Sequence, residues 1–283
     1  MKEFVYETKF IKVNGLKICT YVFGSGKKDV LLLPSFPHSG IYYTFLFSDF
    51  VDFKRYDYRY ITLDFPGWIG KSERFPDEEN YSIEQVLDIV KGVLKHYKIR
   101  KAHILGYSFG GAVTLKLIDE LSSLTDKIAL VSPFFNATIS QKEFFVYITR
   151  VCKKLKLYPL YFSINRRMIQ ACVRRALKID NLGEEYVNQY LDLVKNLDKY
   201  NLLNSINEIF CSDLSPALKE LNNKKVLIIS SRDEYKFIRK QAEFVRRKLD
   251  SEISLFFKGP HENFIVNPSK KLVKQILNFF NSG

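Results

Sequence analysis

The residue of this chain best placed for covalent chemistry is a serine between two glycines. The apolar run HILGY at His103 leads into Gly106-Tyr107-Ser108-Phe109-Gly110 and then directly into the helical pattern AVTLKLIDEL. A G-x-S-x-G pentapeptide between a strand and a helix is the nucleophile-elbow arrangement. Its serine sits in a tight, strained turn, so side chains at Gly106 or Gly110 would collide with neighbouring backbone, and Oγ is held out above the strands. The helix that follows aims its first amides at the same place, where negative charge meets a favourable dipole.

A serine hydroxyl is a weak nucleophile until a base takes its proton, and that base needs a carboxylate to fix its tautomer. Four histidines are available. His96 lies near the end of a polar-faced helix, His103 falls within the strand before the elbow, and His38 sits in an early loop, on the wrong side of the serine in chain order. His261, after the run ISLFF and the turn Gly259-Pro260, is where the base is expected. The run VLIISSRDEY supplies Asp233 as the acid, with Glu234 beside it; Asp233 is preferred. Ser108, Asp233 and His261 then follow one another along the chain at strand ends. An alternative acid position after IALVS holds only Pro133, Phe134, Phe135 and Asn136.

These loops need a scaffold. The chain opens with KFIKV, then Asn14-Gly15, then LKICTYVFG, alternating with period two on either side of a dipeptide that favours a type I′ turn, which predicts a β-hairpin. From Val30 the pattern changes to short apolar runs without alternation: VLLL, YITLD at Tyr60, HILGY, IALVS at Ile128, VLIIS at Val226 and ISLFF at Ile253. Such runs suit strands of a mostly parallel sheet covered on both faces. Helical periods lie between them, the clearest opening at Ser82, which with Gln85 makes a capping-box pattern. Further helices are expected over about Lys236 to Arg247 and after Asn267-Pro268-Ser269. Strand and helix alternate, so the fold class is α/β.

The rhythm breaks between Asn136 and Asp213, where helical periods dominate. The domain organisation read from this is a core of residues 1–135 and 214–283 with a helical insertion over 136–213.

Composition narrows the partners. The chain has 283 residues, 46% of them hydrophobic, and a formal net charge of +13 spread along its length, without a basic tail or a nucleic-acid motif. No nucleic-acid partner is expected. Four cysteines far apart, with no C-x-x-C pair, argue against a zinc site, so neither metal nor cofactor is expected. The N-terminus has charge and alternation where a secretory signal needs an apolar run, and no stretch reaches the length of a membrane span. A cytoplasmic location with reduced thiols is the expectation.

With these residues in view the chain resembles, nearly end to end, the α/β-hydrolase fold family, in particular its cap-bearing serine hydrolases of the esterase and C–C hydrolase type. The serine elbow is the most specific part of the likeness. Asp64-Phe65-Pro66-Gly67-Trp68-Ile69-Gly70-Lys71-Ser72 resembles the family's D-x-x-G-x-G-x-S loop, with Ile69 and Lys71 in variable places, and is read as structural. GPHENF resembles the histidine loop. The resemblance implies that 136–213 is a helical cap inserted after the sixth strand. It also implies that the backbone amides of Phe36 and Phe109 form the oxyanion hole. One departure stands out, because relatives show His-Gly where this chain has Pro34-Ser35.

A serine at the elbow points to acyl transfer on an ester or related carbonyl through an acyl-enzyme. Carboxylic-ester hydrolysis is ranked first, ahead of C–C bond hydrolysis, thioester cleavage and perhydrolysis by the same triad. The expected substrate is a small or medium apolar acyl compound, with Phe134, Phe135, Phe144 and Phe145 as candidate pocket residues; filling the core between cap and sheet explains them equally well. The basic residues of the cap, Arg150 and Lys153 among them, are read as a solvated face in preference to an anionic-membrane contact. A rival of another class is a non-catalytic sensor that binds an apolar ligand beneath the cap, for which the Pro34-Ser35 departure is the support.

Overall fold

A computed structural model describes residues 5–48, 56–76, 81–136, 147, 151, 154–155, 157, 160, 191–193, 196–249, 254–257, 259, 261, 264 and 269–282. Among the described residues there are eight strands: β1 (Tyr6–Val13), β2 (Leu16–Phe23), β3 (Lys28–Leu33), β4 (Tyr58–Leu63), β5 (Ala102–Tyr107), β6 (Thr125–Val131), β7 (Lys225–Ser231) and β8 (Ser254–Phe257). They form one sheet in the order β1-β2-β4-β3-β5-β6-β7-β8. β1 and β2 are an antiparallel hairpin, β2 joins β4 antiparallel, and every pairing from β4 across to β8 is parallel. The hairpin turns at Asn14 and Gly15, both at positive φ, with Val13 opposite Leu16; the Asn-Gly dipeptide is there because both turn positions need that conformation.

The α-helices bounded among the described residues are α1 (Ile41–Ser48), α2 (Ile83–His96), α3 (Phe109–Leu121), α4 (Lys199–Cys211), α5 (Lys236–Lys248) and α6 (Lys270–Asn281). The expected continuous apolar runs do lie between two layers. Leu31, Leu33, Ile104 and Ile128 join the cluster that includes α2 and α3, while Val30, Leu32, Leu105 and Ala129 join the one that includes α1 and α6. Successive side chains of a strand point to opposite faces, so a strand covered on both must be apolar at every position. The capping box at α2 is formed: Gln85 N donates to Ser82 Oγ (3.2 Å) and Ser82 N to Gln85 Oε1 (3.0 Å). α1 was not anticipated. Its sequence IYYTFLFS is apolar on nearly every side, so no period marks it as a helix.

The ends of the 136–213 segment meet. Asn136 and Asp213 form an antiparallel bridge, Leu214 N donates to Phe135 O (3.0 Å), and Gln241 Oε1 on α5 accepts both Phe135 N and Asn136 N. α4, at the end of the segment, is seated on the core. Asp198 N donates to Gly67 O (3.0 Å), Arg74 pairs with Asp198 (2.6 Å), and Phe75 N donates to Asn201 Oδ1 (3.1 Å). Phe144 and Phe145, and most of the segment between its ends, lie outside the described residues. Among the described residues no helix is long and apolar enough to cross a membrane.

Candidate active site

The C-terminal ends of β3, β5, β7 and β8 carry the loops that the sequence singles out. Ser108 follows β5 directly and precedes α3, with φ 52° and ψ −113°, a backbone conformation that side chains rarely adopt and that costs energy to hold. It is held by its surroundings: Ser108 N donates to Val131 O (2.9 Å), while Ser108 O accepts Gly111 N (2.9 Å) and Phe134 N (3.1 Å). The flanking glycines are required sterically. A Cβ on Gly110 would run into Leu33 O and sit 2.7 Å from Leu33 C, and one on Gly106 would meet Thr114 Oγ1 and, at 2.6 Å, Gly110 O.

His261 lies against this elbow. Tyr107, the residue before the serine, donates its hydroxyl to His261 O (2.6 Å), and the two rings lie 5.1 Å apart. Tyr107 also packs on the buried Phe264 (5.1 Å), which fixes the chain just beyond the histidine. The carboxylate that meets His261 is not Asp233, the one expected there, but its neighbour. Glu234 Oε2 is 2.9 Å from His261 Nδ1, and the Glu234 side chain is fully buried. Asp233 is exposed and instead accepts Gly259 N at Oδ2 (2.7 Å). The reason is local. Asp233 N donates to Ser231 Oγ (3.0 Å), and the short Asp side chain turns back to satisfy the Gly259 amide, where the chain is at φ 91°. The next residue then points to the opposite side of the loop, and the longer Glu reaches the imidazole. Two adjacent carboxylates after β7 were visible in the sequence, but nothing in it said which one would be claimed by the glycine.

His38 also reaches this region, although chain order had set it aside. Burial first, and the charge of His261 second, push its imidazole down to about 4. It is therefore neutral at pH 7 and close enough to His261 to feel its charge. The backbone N–H of His38 donates to Ser35 O (2.7 Å) and its ring meets Tyr42 edge-on at 5.2 Å.

The loop after β3, with Pro34, Ser35 and Phe36, is tied down despite its departure from the family pattern. Tyr43 Oη donates to Leu33 O (3.0 Å) and Ile69 N to Pro37 O (3.1 Å). Asp64 does most of the holding. Its buried carboxylate accepts Ser39 Oγ (2.5 Å) and Gly40 N (2.9 Å) from this loop, Lys71 N (2.7 Å) from its own, and Tyr21 Oη (2.8 Å) from β2. Burial raises the Asp64 carboxyl above its usual value, and those hydrogen bonds oppose the rise. The D-x-x-G stretch thus has the structural part read for it. Gly70 is needed beside it because a Cβ there would overlap the Asp64 carboxylate.

Of the pocket candidates, Phe134 donates its backbone N–H to Ser108 O (3.1 Å) while its side chain packs with Ile238, whereas Phe135 belongs to the main core on the α2 and α3 side. Among the described residues no cluster of His, Cys, Asp and Glu is arranged to hold a metal ion.

The sequence pattern of the alpha/beta hydrolase fold matches residues 29–268. Curated relatives include a probable lysophospholipase, BODYGUARD 2 of Arabidopsis thaliana, 24% identical over 135 residues. That match covers 47% of this chain and only 28% of the relative. Solved structures with the same fold include an esterase from Exiguobacterium antarcticum, with 18% identity, TM-score 0.74 and coverage of 98% of this chain and 100% of the other. A bromoperoxidase from Bacillus anthracis superposes with TM-score 0.76 at 17% identity over 98% and 100% of the two chains. An enol-lactonase from Burkholderia xenovorans does so with TM-score 0.71 at 17% identity over 97% and 100%.

Proposed function

The chain belongs to the α/β-hydrolase fold family, and from that premise we propose that it is a serine hydrolase of carboxylic esters with Ser108 as nucleophile, His261 as base and Glu234 as acid. The observation that carries the reading is the conjunction of a strained serine at the elbow with a histidine held beside it by a buried carboxylate at 2.9 Å. The similarity to an esterase and to a probable lysophospholipase supports acyl transfer without naming a substrate.

In this reading Ser108 Oγ attacks the carbonyl carbon as His261 Nε2 takes its proton. The oxyanion that forms is met by the amides of Phe36 and Phe109, and the leaving alcohol takes the proton back from His261. Water, activated by the same imidazole, then attacks the acyl-enzyme and frees the acid and Ser108. Glu234 holds Nδ1–H throughout and opposes the positive charge on the ring. Segment 136–213 acts as a cap over this site and selects an apolar acyl or alcohol group, its bridged neck at Asn136 and Asp213 keeping its two ends together.

The test is labelling with a fluorophosphonate probe, followed by a p-nitrophenyl ester series of increasing chain length. Labelling that disappears in Ser108→Ala, with ester turnover falling about four to six orders of magnitude, is expected. A chain that neither labels nor hydrolyses any ester, yet binds apolar ligands, would be a sensor on this fold and would overturn the proposal.

A further inference from the structure

Both residues whose amides are assigned to the oxyanion hole pack on a single side chain. The indole of Trp68, the one tryptophan of the chain, meets the Phe36 ring edge-on at 5.1 Å and the Phe109 ring at 5.2 Å. Phe65 closes the cluster, 5.1 Å from Trp68 and 6.2 Å from Phe109. Phe36 comes from the loop after β3 and Phe109 from the first turn of α3, two segments that the β3–β5 pairing and the close approach of Gly110 to Leu33 O bring side by side. The indole is where their two rings meet.

Trp68 is itself held from a distant part of the chain. It is buried, and its Nε1 donates to Ser205 Oγ on α4 (2.8 Å), which in turn donates to Asn201 O (2.5 Å). α4 is fixed to the same loop by the Asp198–Gly67, Asp198–Arg74 and Asn201–Phe75 contacts. A planar ring with one donor has its orientation set once that donor is engaged in a buried site, because rotating away would leave an N–H unpaired. Oxyanion donors must be placed to within about 0.5 Å to act, and losing one costs about a hundredfold to a thousandfold.

We propose that Trp68 is a positioning residue for the oxyanion hole, setting the Phe36 and Phe109 donors against each other, and that Ser205 on α4 sets Trp68. This rests on the serine-hydrolase reading above. It makes the last helix of the 136–213 segment part of what aligns the hole, alongside whatever that segment does in choosing substrates.

The experiment measures kcat and KM for p-nitrophenyl acetate per titrated active site, the pH profile of kcat and the melting temperature. It uses the full chain and its Ser205→Ala, Trp68→Phe and doubly substituted forms, with Ser108→Ala as control. Each single change should lower kcat about three- to tenfold, leave KM within about twofold and leave the pH midpoint in place, because His261 and Glu234 are untouched. The double variant should be no slower than Trp68→Phe alone, since both changes act through one indole N–H. Phosphonylation of Ser108 should change the emission of the wild-type chain, whose tryptophan signal comes from Trp68 alone. Ser205→Ala keeps every ring of the cluster, so the test survives if Trp68→Phe does not fold. Unchanged kcat with only a lower melting temperature, a rise in KM at constant kcat, or emission indifferent to phosphonylation would each overturn the inference. An active Ser108→Ala would instead overturn the serine-hydrolase reading beneath it.

Discussion

Replacing Glu234 by Gln, and separately Asp233 by Asn, tells apart two adjacent carboxylates, one preferred from the sequence and the other placed against His261 by the fold. The Glu234 carboxylate lies 2.9 Å from His261 Nδ1, its side chain fully buried, with the His261 side chain only 12% exposed. When His261 accepts the Ser108 proton, a cation forms with its charge roughly 4 Å from the carboxylate, worth about 4 kcal/mol at an effective dielectric of about 20. At about 1.4 kcal/mol per decade that is close to a thousandfold in kcat. The glutamine can also present its NH₂ to Nδ1 and so favour the wrong tautomer, which brings the expected loss to about 10³–10⁴.

Asp233 is exposed, and its contact with Gly259 N at 2.7 Å can be kept by the oxygen of an asparagine. Losing the charge there costs at most about 1 kcal/mol. Asp233→Asn should therefore lose less than about tenfold, leaving a gap of at least about a hundredfold between the two variants. The assay is p-nitrophenyl acetate turnover per site titrated with the fluorophosphonate, which removes differences in folded fraction. A Glu234→Gln chain with more than a tenth of wild-type kcat, or an Asp233→Asn chain losing a thousandfold, would refute the assignment of Glu234.

Other consequences are testable in the scaffold. Gly110→Ala drives a Cβ into Leu33 O and should cost about 1–3 kcal/mol along with most of the activity. Gly111→Ala, whose Cβ would meet Pro133 Cβ at 3.0 Å and Pro133 Cα at 3.2 Å, needs a shift of only a few tenths of an ångström and should cost less than Gly110→Ala, as paired melting curves and ester rates would show. Burial, partly offset by Asp126, lowers His103 to about 4, against about 6.5 in the unfolded chain. The unfolded state thus binds the proton first, and stability falls as pH drops from about 6.5 to about 4, by up to about 3 kcal/mol. Denaturant titrations across that window should be flatter for His103→Phe; equal slopes would contradict the buried neutral ring. Lys127 is buried near the start of β6, far from Ser108, and donates to Phe279 O and Phe280 O (3.0 Å each) and to Ser282 O at the end of α6. Lys127→Met should cost about 2–4 kcal/mol by stranding those carbonyls while sparing kcat, measured by chemical unfolding beside the ester assay.

The sheet was legible because strands covered on both faces must be apolar at consecutive positions, and the hairpin because Asn14-Gly15 fits both positive-φ positions of its turn. The elbow could be read because a turn this tight leaves no room for a Cβ at Gly106 or Gly110 and so fixes residue types in a five-residue pattern. What escaped was decided by tertiary contact. α1 carries no period because both of its sides are covered. His38 was set aside by chain order, which says where a base must stand in sequence and nothing about which other imidazoles fold toward it. Trp68 and Ser205 lie 137 residues apart, and no spacing rule joins them. Phe134 and Phe135 are neighbours, yet the ring of one packs with Ile238 and the other enters the main core; no spacing in the sequence separates the two.

The three carboxylates of the site show why identity at a loop position is weaker information than reach. Asp64, Asp233 and Glu234 each follow a strand end, and each accepts hydrogen bonds that join two loops: Asp64 the loop after β3 to its own, Asp233 the β7 loop to Gly259, Glu234 the same loop to His261. Asp233 accepts a backbone amide and Asp64 two amides and two hydroxyls, while Glu234 keeps one oxygen on the amide of Tyr235 (3.0 Å) and extends the other to the imidazole. Of the two adjacent carboxylates, the residue that meets the ring is the one with the extra methylene. On that argument Glu234→Asp, which keeps the charge and removes the methylene, should lose activity much as Glu234→Gln does, with the carboxylate unable to close on Nδ1. Recovery of more than about a tenth of wild-type kcat in Glu234→Asp would show that charge near the ring suffices and that reach is not what selected glutamate.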